Sequence, residues 1–165
     1  MSRAIIIALC MLASVIQSCH KERLERTRYC DDLITDTLGT GDSCRIYIPY
    51  AFTPNGDGVN DLFMPVAYHV KSWQFEIYDN CGERLFYSTQ PGQGWNASSR
   101  VRYIHSYYYR LQAFTDSNHR IGQCGEFIAL DCIPSGFELH QFSFSDQYGY
   151  DGISYATNEV IGRCD

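Results

Sequence analysis

A short loop rich in amides, carboxylates and glycines is the segment of this 165-residue chain whose residues could do chemistry. Asn55, Asp57, Asn60 and Asp61 offer oxygen ligands of the kind that Ca²⁺ takes, and the intervening glycines permit a tightly turned backbone. The same side chains can instead accept hydrogen bonds from the loop's own N–H groups. The segment is not an EF-hand, since Val66 stands where that motif needs Glu. The loop is therefore either a weak calcium site or a capped turn, and we favour the capped turn because Asx–Gly turns are common.

A second reactive position is Cys19, which follows a short basic start and an apolar stretch over residues 4–16. The stretch is shorter than the ~20 residues of a membrane-spanning helix, so residues 1–18 are predicted to be a secretory signal peptide. An apolar run that ends in a small residue and then cysteine resembles the lipobox of bacterial lipoproteins. The resemblance implies that Cys19 is diacylated and becomes the N-terminus of a cell-envelope protein. We expect an outer-membrane lipoprotein, periplasmic or surface-exposed. The alternative is an ordinary signal peptide with a chance cysteine.

Six further cysteines would remain in the exported chain, an even number that predicts disulfides. They are Cys30, Cys44, Cys81, Cys124, Cys132 and Cys164. No C-x-x-C pair occurs among them, so zinc is the weaker interpretation. We predict three disulfides among these six, and the sequence does not choose the connectivity. Cys124 and Cys132 flank one predicted strand, so they are expected to bridge to different elements.

The charge balance argues against nucleic acid as a partner. Without residues 1–18, 12 of the 13 basic side chains remain against 19 acidic ones, a net charge of −7. Phosphate backbones repel such a chain. The five histidines are scattered, and no nucleophile–base or metal-ligand motif is present. We therefore predict a protein that is not an enzyme and that has no cofactor apart from the candidate Ca²⁺.

The elements that must position the loop are short strands. Apolar residues alternate with polar ones over 73–78 and 107–114, the period of half-buried strands. Turn residues follow each run, and the chain returns over 84–87 and 126–130, which predicts two hairpins. No stretch carries a helical apolar stripe, so the sequence predicts an all-β sandwich or barrel.

Composition divides the chain into four parts. After the signal peptide, residues 19–43 form a polar tether, residues 44–132 a β domain, and residues 133–165 a C-terminal extension whose structure the sequence does not define. The extension has spaced apolar side chains that predict one or two strands, followed by a loop over 148–152. These side chains are Phe137, Leu139, Phe142 and Phe144.

The segment that contains the loop, IPYAFTPNGDGVND over residues 48–61, closely resembles the hallmark of the gliding motility-associated C-terminal domain. That domain is also known as the type B sorting domain of type IX secretion substrates. Further similarity follows in order at 74–86, 94–97 and 106–111, so the resemblance covers about residues 46 to 130. It implies an immunoglobulin-like β-sandwich, here with disulfides, and a role in export across the outer membrane.

Two departures from the family pattern bear on that role. Cys81 stands where the family has an aromatic residue, and Asn96-Ala97 replaces its Asp-Gly after the tryptophan. The family domain usually ends a very large secreted protein, whereas little precedes it here. The resemblance therefore carries the fold more firmly than the sorting role.

Two classes of function follow. The first is a non-catalytic lipoprotein module linked to type IX secretion, gliding or surface display, with secretion or gliding machinery proteins and the membrane as partners. The alternative is a cell-surface adhesin that binds carbohydrate or protein through Trp95 and Tyr107 to Tyr109. An adhesin should expose those aromatic rings, whereas a sorting module should bury them.

Overall fold

The computed structural model describes residues 27–41, 43–97, 104–153 and 156–164. Within these ranges the chain is nearly all β, with one helical turn, α1 (Thr27–Cys30), and two 3-10 turns (Leu139–Gln141 and Ser145–Gln147). The strands, in chain order, are β1 (Arg45–Tyr47), β2 (Ala51–Phe52), β3 (Val66–Tyr68), β4 (Val70–Tyr78), β5 (Arg84–Ser88), β6 (Ile104–Thr115), β7 (Arg120–Leu130), β8 (Tyr148–Gly149) and β9 (Gly152–Ile153).

A five-stranded sheet in the order β2-β7-β6-β4-β5 organises the domain. The antiparallel pairs β4–β5 and β6–β7 confirm the two predicted hairpins. Strand β2 joins the edge of this sheet parallel to β7. Two small antiparallel sheets, β1–β3 and β8–β9, complete a sandwich-like arrangement with disulfides, so the all-β prediction is confirmed.

The alternation read from the sequence sets the two faces of the sheet. On β6, Tyr107, Leu111 and Ala113 point into the main apolar core, where they meet Trp73 and Phe75 of β4. Aromatic rings dominate this core, because half-buried strands favour aromatic residues that pack against cross-strand neighbours.

Residues 29–36, here called the strap, cover part of the opposite face. The backbone N–H of Ile34 donates to Gln112 Oε1, and Gln112 Nε2 donates to the carbonyl of Ile34, each at 2.8 Å. The carboxylate of Asp36 accepts two hydrogen bonds from the guanidinium of Arg120. Gly122 permits the close approach, because a Cβ there would lie 2.8 Å from the Cβ of Leu33. This part of the predicted tether is therefore packed on the sheet, a result of pairings between distant residues that the local composition does not reveal.

The C-terminal segment packs against the edge of the same sheet. Phe142 and Phe144 form a second apolar cluster with Ala51, Ile128 and Leu130. The strands expected over 137–144 are wrong for this segment. The glutamine side chains of its two 3-10 turns instead accept hydrogen bonds from backbone N–H groups three residues earlier. The expected loop over 148–152 contains the short β8–β9 hairpin.

Candidate functional site

The Thr53–Asp61 loop leaves edge strand β2 and turns back on itself. The N–H of Thr53 donates to the carbonyl of Asn60 at 2.9 Å, which closes the base of the loop. Gly56 and Gly58 have φ of +84° and +91°, the left-handed region that glycine adopts without a Cβ clash. The sequence therefore places its glycines where this backbone path requires them.

Carboxylates and an amide oxygen cap the inside of the loop. The Oδ1 and Oδ2 atoms of Asp61 accept from the N–H groups of Gly56 at 2.6 Å and Gly58 at 2.8 Å. Oδ1 of Asp57 accepts from Val59 N–H at 2.8 Å, and its Oδ2 accepts from the Asn55 amide at 3.0 Å. The acidic side chains thus satisfy backbone donors that would otherwise lack partners.

This geometry bears on the two interpretations of the loop. Each carboxylate oxygen of Asp57 and Asp61 already accepts an N–H hydrogen bond, as the capped turn requires. Among the described residues, no group of three or more His, Cys, Asp or Glu side chains is arranged to hold a metal ion. The capped turn therefore accounts for the residues as they stand, and calcium binding stays a prediction.

Asn60 connects the loop to the C-terminal segment. Its φ is +49°, a left-handed conformation that Asn tolerates better than most residues. Its Oδ1 accepts from the hydroxyl of Ser145 at 3.0 Å and from the N–H of Asp146 at 3.2 Å. The predicted site residue is therefore buried and structural, and it ties the hallmark segment to a region outside the resemblance.

Glu159 is the residue of this site that sequence reasoning missed. Its side chain is only 4% exposed, and its Oε2 accepts from the Thr53 hydroxyl and from Asn60 Nδ2. Its Oε1 has no hydrogen-bond partner among the described residues. Burial, with further repulsion from the charges of Asp57 and Asp146, raises the pKa of this carboxyl group. No sequence motif marks Glu159, because its partners lie about a hundred residues away.

The tryptophan motif lies on the other side of the loop. Phe63 and Trp95 exchange two backbone hydrogen bonds of 2.9 and 3.0 Å. Gly94 allows this approach, since a Cβ there would lie 2.9 Å from the Cβ of Met64. The Thr53–Asp61 loop and the tryptophan motif, the two segments that resemble the family pattern, thus fold into one structural unit at one end of the sheet.

The aromatic residues proposed for an adhesin are largely in the core. Trp95 is 8% exposed and Tyr107 and Tyr108 are each 6% exposed, while Tyr109 packs against the core from a half-buried position. These rings do not form an exposed platform, so they offer no support for the adhesin alternative.

The cysteines form two disulfides within the described residues, Cys30–Cys124 and Cys132–Cys164. Cys124 and Cys132 thus bridge to different elements, as expected. Cys81 is disulfide-bonded as well.

A third pair within the predicted six would join Cys44 to Cys81, and the fold separates them. Cys44 lines a cavity with Thr115, which pairs with Val70 at the start of β4, whereas Cys81 follows the end of β4. The nine residues of β4 span about 26 Å. Two of the three expected disulfides are therefore present within the described residues, and the connectivity of a third stays a prediction.

Cys19 and the predicted signal peptide lie outside the described residues. Within the described ranges, no helix has the length and apolar character needed to cross a membrane.

The sandwich, its disulfides and its capped glycine-rich loop define a class of small β domains from exported proteins. Residues 46–128 match the family model of the CHU_C type IX secretion signal domain, which is half of the 165-residue chain, and the protein belongs to that family. Membership links the chain to type IX secretion sorting and to the cell envelope or surface. No curated protein and no solved structure matches the chain.

Proposed function

We propose that this protein is a non-catalytic lipoprotein module of the cell envelope, anchored through diacylated Cys19 and displayed by the type IX secretion machinery. The observation that carries the proposal is the family match over residues 46–128, in a chain that begins with a lipobox-like segment. The partners are the membrane, through the acyl chains, and proteins of the secretion or gliding machinery. Two acyl chains suffice for stable anchoring without a spanning helix.

The architecture of the described residues supports a binding module over an enzyme. The conspicuous polar groups of the loop, Asp57 and Asp61, cap backbone N–H groups and so are engaged in folding. The histidines of the described part are scattered, on strands and in turns. What the loop presents to a partner is therefore a rigid shape with an acidic rim, which suits recognition by another protein.

Lipidation is tested by metabolic labelling with a palmitate analogue. The wild-type protein should carry label and fractionate with membranes, whereas Cys19→Ala should lose the label and leave the membrane fraction. Cys10→Ala, in the predicted signal peptide, is the matched control and should label normally. Labelling of Cys19→Ala at the wild-type level contradicts the proposal, as does a disulfide-mapped peptide in which the Cys19 thiol is bonded to another cysteine.

A further inference from the structure

The direction of the strap determines where the chain leaves the folded domain. Along β6, Tyr29 stacks on Tyr108 with ring centroids 5.1 Å apart, and the next strap contact is Asp31 with Arg110. The later contacts of the strap are with Gln112 and with Arg120, which pairs with Phe114. The strap therefore runs in the direction of β6, and its N-terminal end lies toward the start of β6.

Several independent bonds hold the strap in that direction. The Cys30–Cys124 disulfide fixes its first residues to β7. Gly122 N–H donates to the Thr35 hydroxyl at 3.0 Å, and the Asp36 carboxylate forms a bidentate pair with Arg120 at 2.8 and 3.0 Å. That guanidinium, through its hydrogen bonds, lowers the pKa of Asp36 to about 2, so the pair stays charged at neutral pH.

The Thr53–Asp61 loop lies at the same end of the sheet as the N-terminal end of the strap. Phe52 pairs with Ala129, which pairs with His105 near the start of β6, and the loop continues beyond Phe52. The turn from Asp79 to Glu83 is there too, because Tyr78 pairs with Tyr108. The hydroxyl of Tyr29 donates to the carbonyl of Asp79 at 3.3 Å, which joins the start of the strap to this turn.

From this arrangement we infer that the end of the domain bearing the Thr53–Asp61 loop faces the membrane, at short range. The inference rests on the proposed lipidation of Cys19. Only eight residue steps separate Cys19 from Thr27, where α1 begins, and an extended chain covers at most about 28 Å in that distance. The opposite end of strand β6, at Thr115, lies about 23 Å further along the strand than Tyr108, on which Tyr29 stacks.

The charge of this end sets how closely it approaches. The carboxylates of Asp57, Asp61, Asp79 and Glu83 lie at it, and they are repelled by anionic lipid within a Debye length of about 8 Å at physiological salt. The reach of the tether exceeds that length, so the domain can stand off from the bilayer with its loop still directed at it. A partner that binds the loop is then one that is itself embedded in, or bound to, the same membrane.

The experiment uses the full lipidated protein in phosphatidylcholine vesicles with acceptor dye on the lipid head groups. A donor dye is placed, through a click-reactive amino acid, at Glu83 in the turn at the same end of the sheet as the loop, or at Ser117 in the β6–β7 turn at the opposite end, both exposed. Energy transfer should be several-fold stronger from position 83 than from position 117. Equal transfer, or stronger transfer from position 117, overturns the orientation.

Two variants test whether the strap, and no other feature, sets the orientation of the domain. Removing the disulfide with Cys30→Ser and Cys124→Ser together, or lifting the strap with Gly122→Val, should let the tether lengthen and should reduce the difference between positions. Gly41→Ala is the matched control, since a Cβ there meets no atom within 4 Å. If energy transfer still differs between positions 83 and 117 after the backbone amides of the strap have lost all protection from hydrogen exchange, the inference is contradicted. Failure of the wild-type protein to bind vesicles would instead overturn the proposed lipidation, and the orientation with it.

Discussion

At the scale of single residues, the loop shows how one set of side chains fits two functions. Oxygen ligands spaced along a tight turn suit calcium, and they suit backbone capping equally well. The structure has the capping bonds, with both oxygens of Asp61 accepting from glycine N–H groups. The sequence specified the turn and its glycines, but the choice of hydrogen-bond acceptors depends on the folded path of the backbone.

Substitution of Asp61 by alanine should separate the two functions. It leaves the N–H groups of Gly56 and Gly58 without their acceptor, so we expect a loss of about 1–3 kcal/mol in the free energy of unfolding. Urea unfolding with and without millimolar Ca²⁺ measures it, with Asp151→Ala, exposed in the β8–β9 turn, as the control. If Ca²⁺ stabilises the wild type and Asp57→Ala or Asp61→Ala abolishes that effect, the loop is a calcium site.

We expect Glu159 to make the stability of the protein depend on pH. Its folded-state pKa is raised above the ordinary 4.5 by burial, so its contribution to stability is full below that value and declines as the pH rises through the raised pKa. Glu159→Gln keeps a neutral group at every pH. Its stability relative to the wild type should therefore increase from pH 4 to pH 8 in urea titrations.

Glu138→Gln is the control of opposite sign. Arg163 lowers the pKa of Glu138 through a 2.7 Å hydrogen bond, so that contribution is present above pH 4.5 and is lost as the pH falls. Parallel pH profiles for wild type and Glu159→Gln would show that the carboxyl group does not titrate with folding.

At the scale of elements, local patterns predicted the central strands and missed the segments around them. Period-two alternation sufficed for β4 and β6 because each has one face in the core. The strap looked like a linker because its order comes from partners such as Gln112 and Cys124, about 80 to 90 residues away. The spacing of Phe142 and Phe144 resembled a strand, yet their side chains fill an apolar cluster beside 3-10 turns.

The two disulfides should contribute unequally to stability. In the chain-entropy description, the bond that closes the longer loop stabilises more. Replacing Cys30 and Cys124, 94 residues apart, by serine should cost about 4–5 kcal/mol, and replacing Cys132 and Cys164, 32 residues apart, about 3–4 kcal/mol. Unfolding of the two double variants measures this, after non-reducing peptide mapping has verified both bonds in the wild type. A larger cost for the second pair would contradict the importance given to the strap.

At the scale of the whole molecule, family membership and the direction of the strap give one picture. Residues 46–128 form a type IX secretion signal domain, to which this chain adds a strap on one sheet face and a C-terminal segment bonded to the hallmark loop. Both additions reach the domain through contacts of long sequence separation. For that reason the position of the loop relative to the N-terminal end was not accessible from the sequence, whereas the fold class and the family were.

The most direct test of the proposed function is protease shaving of intact cells, with wild-type cells compared to a strain that lacks the type IX secretion machinery. Protease should remove the protein from intact wild-type cells while a periplasmic marker stays whole. In the deficient strain the protein should be protected inside the cell and degraded only after the outer membrane is opened. Protection in both strains, or equal digestion in both, would contradict the proposal that this lipoprotein module is displayed by type IX secretion.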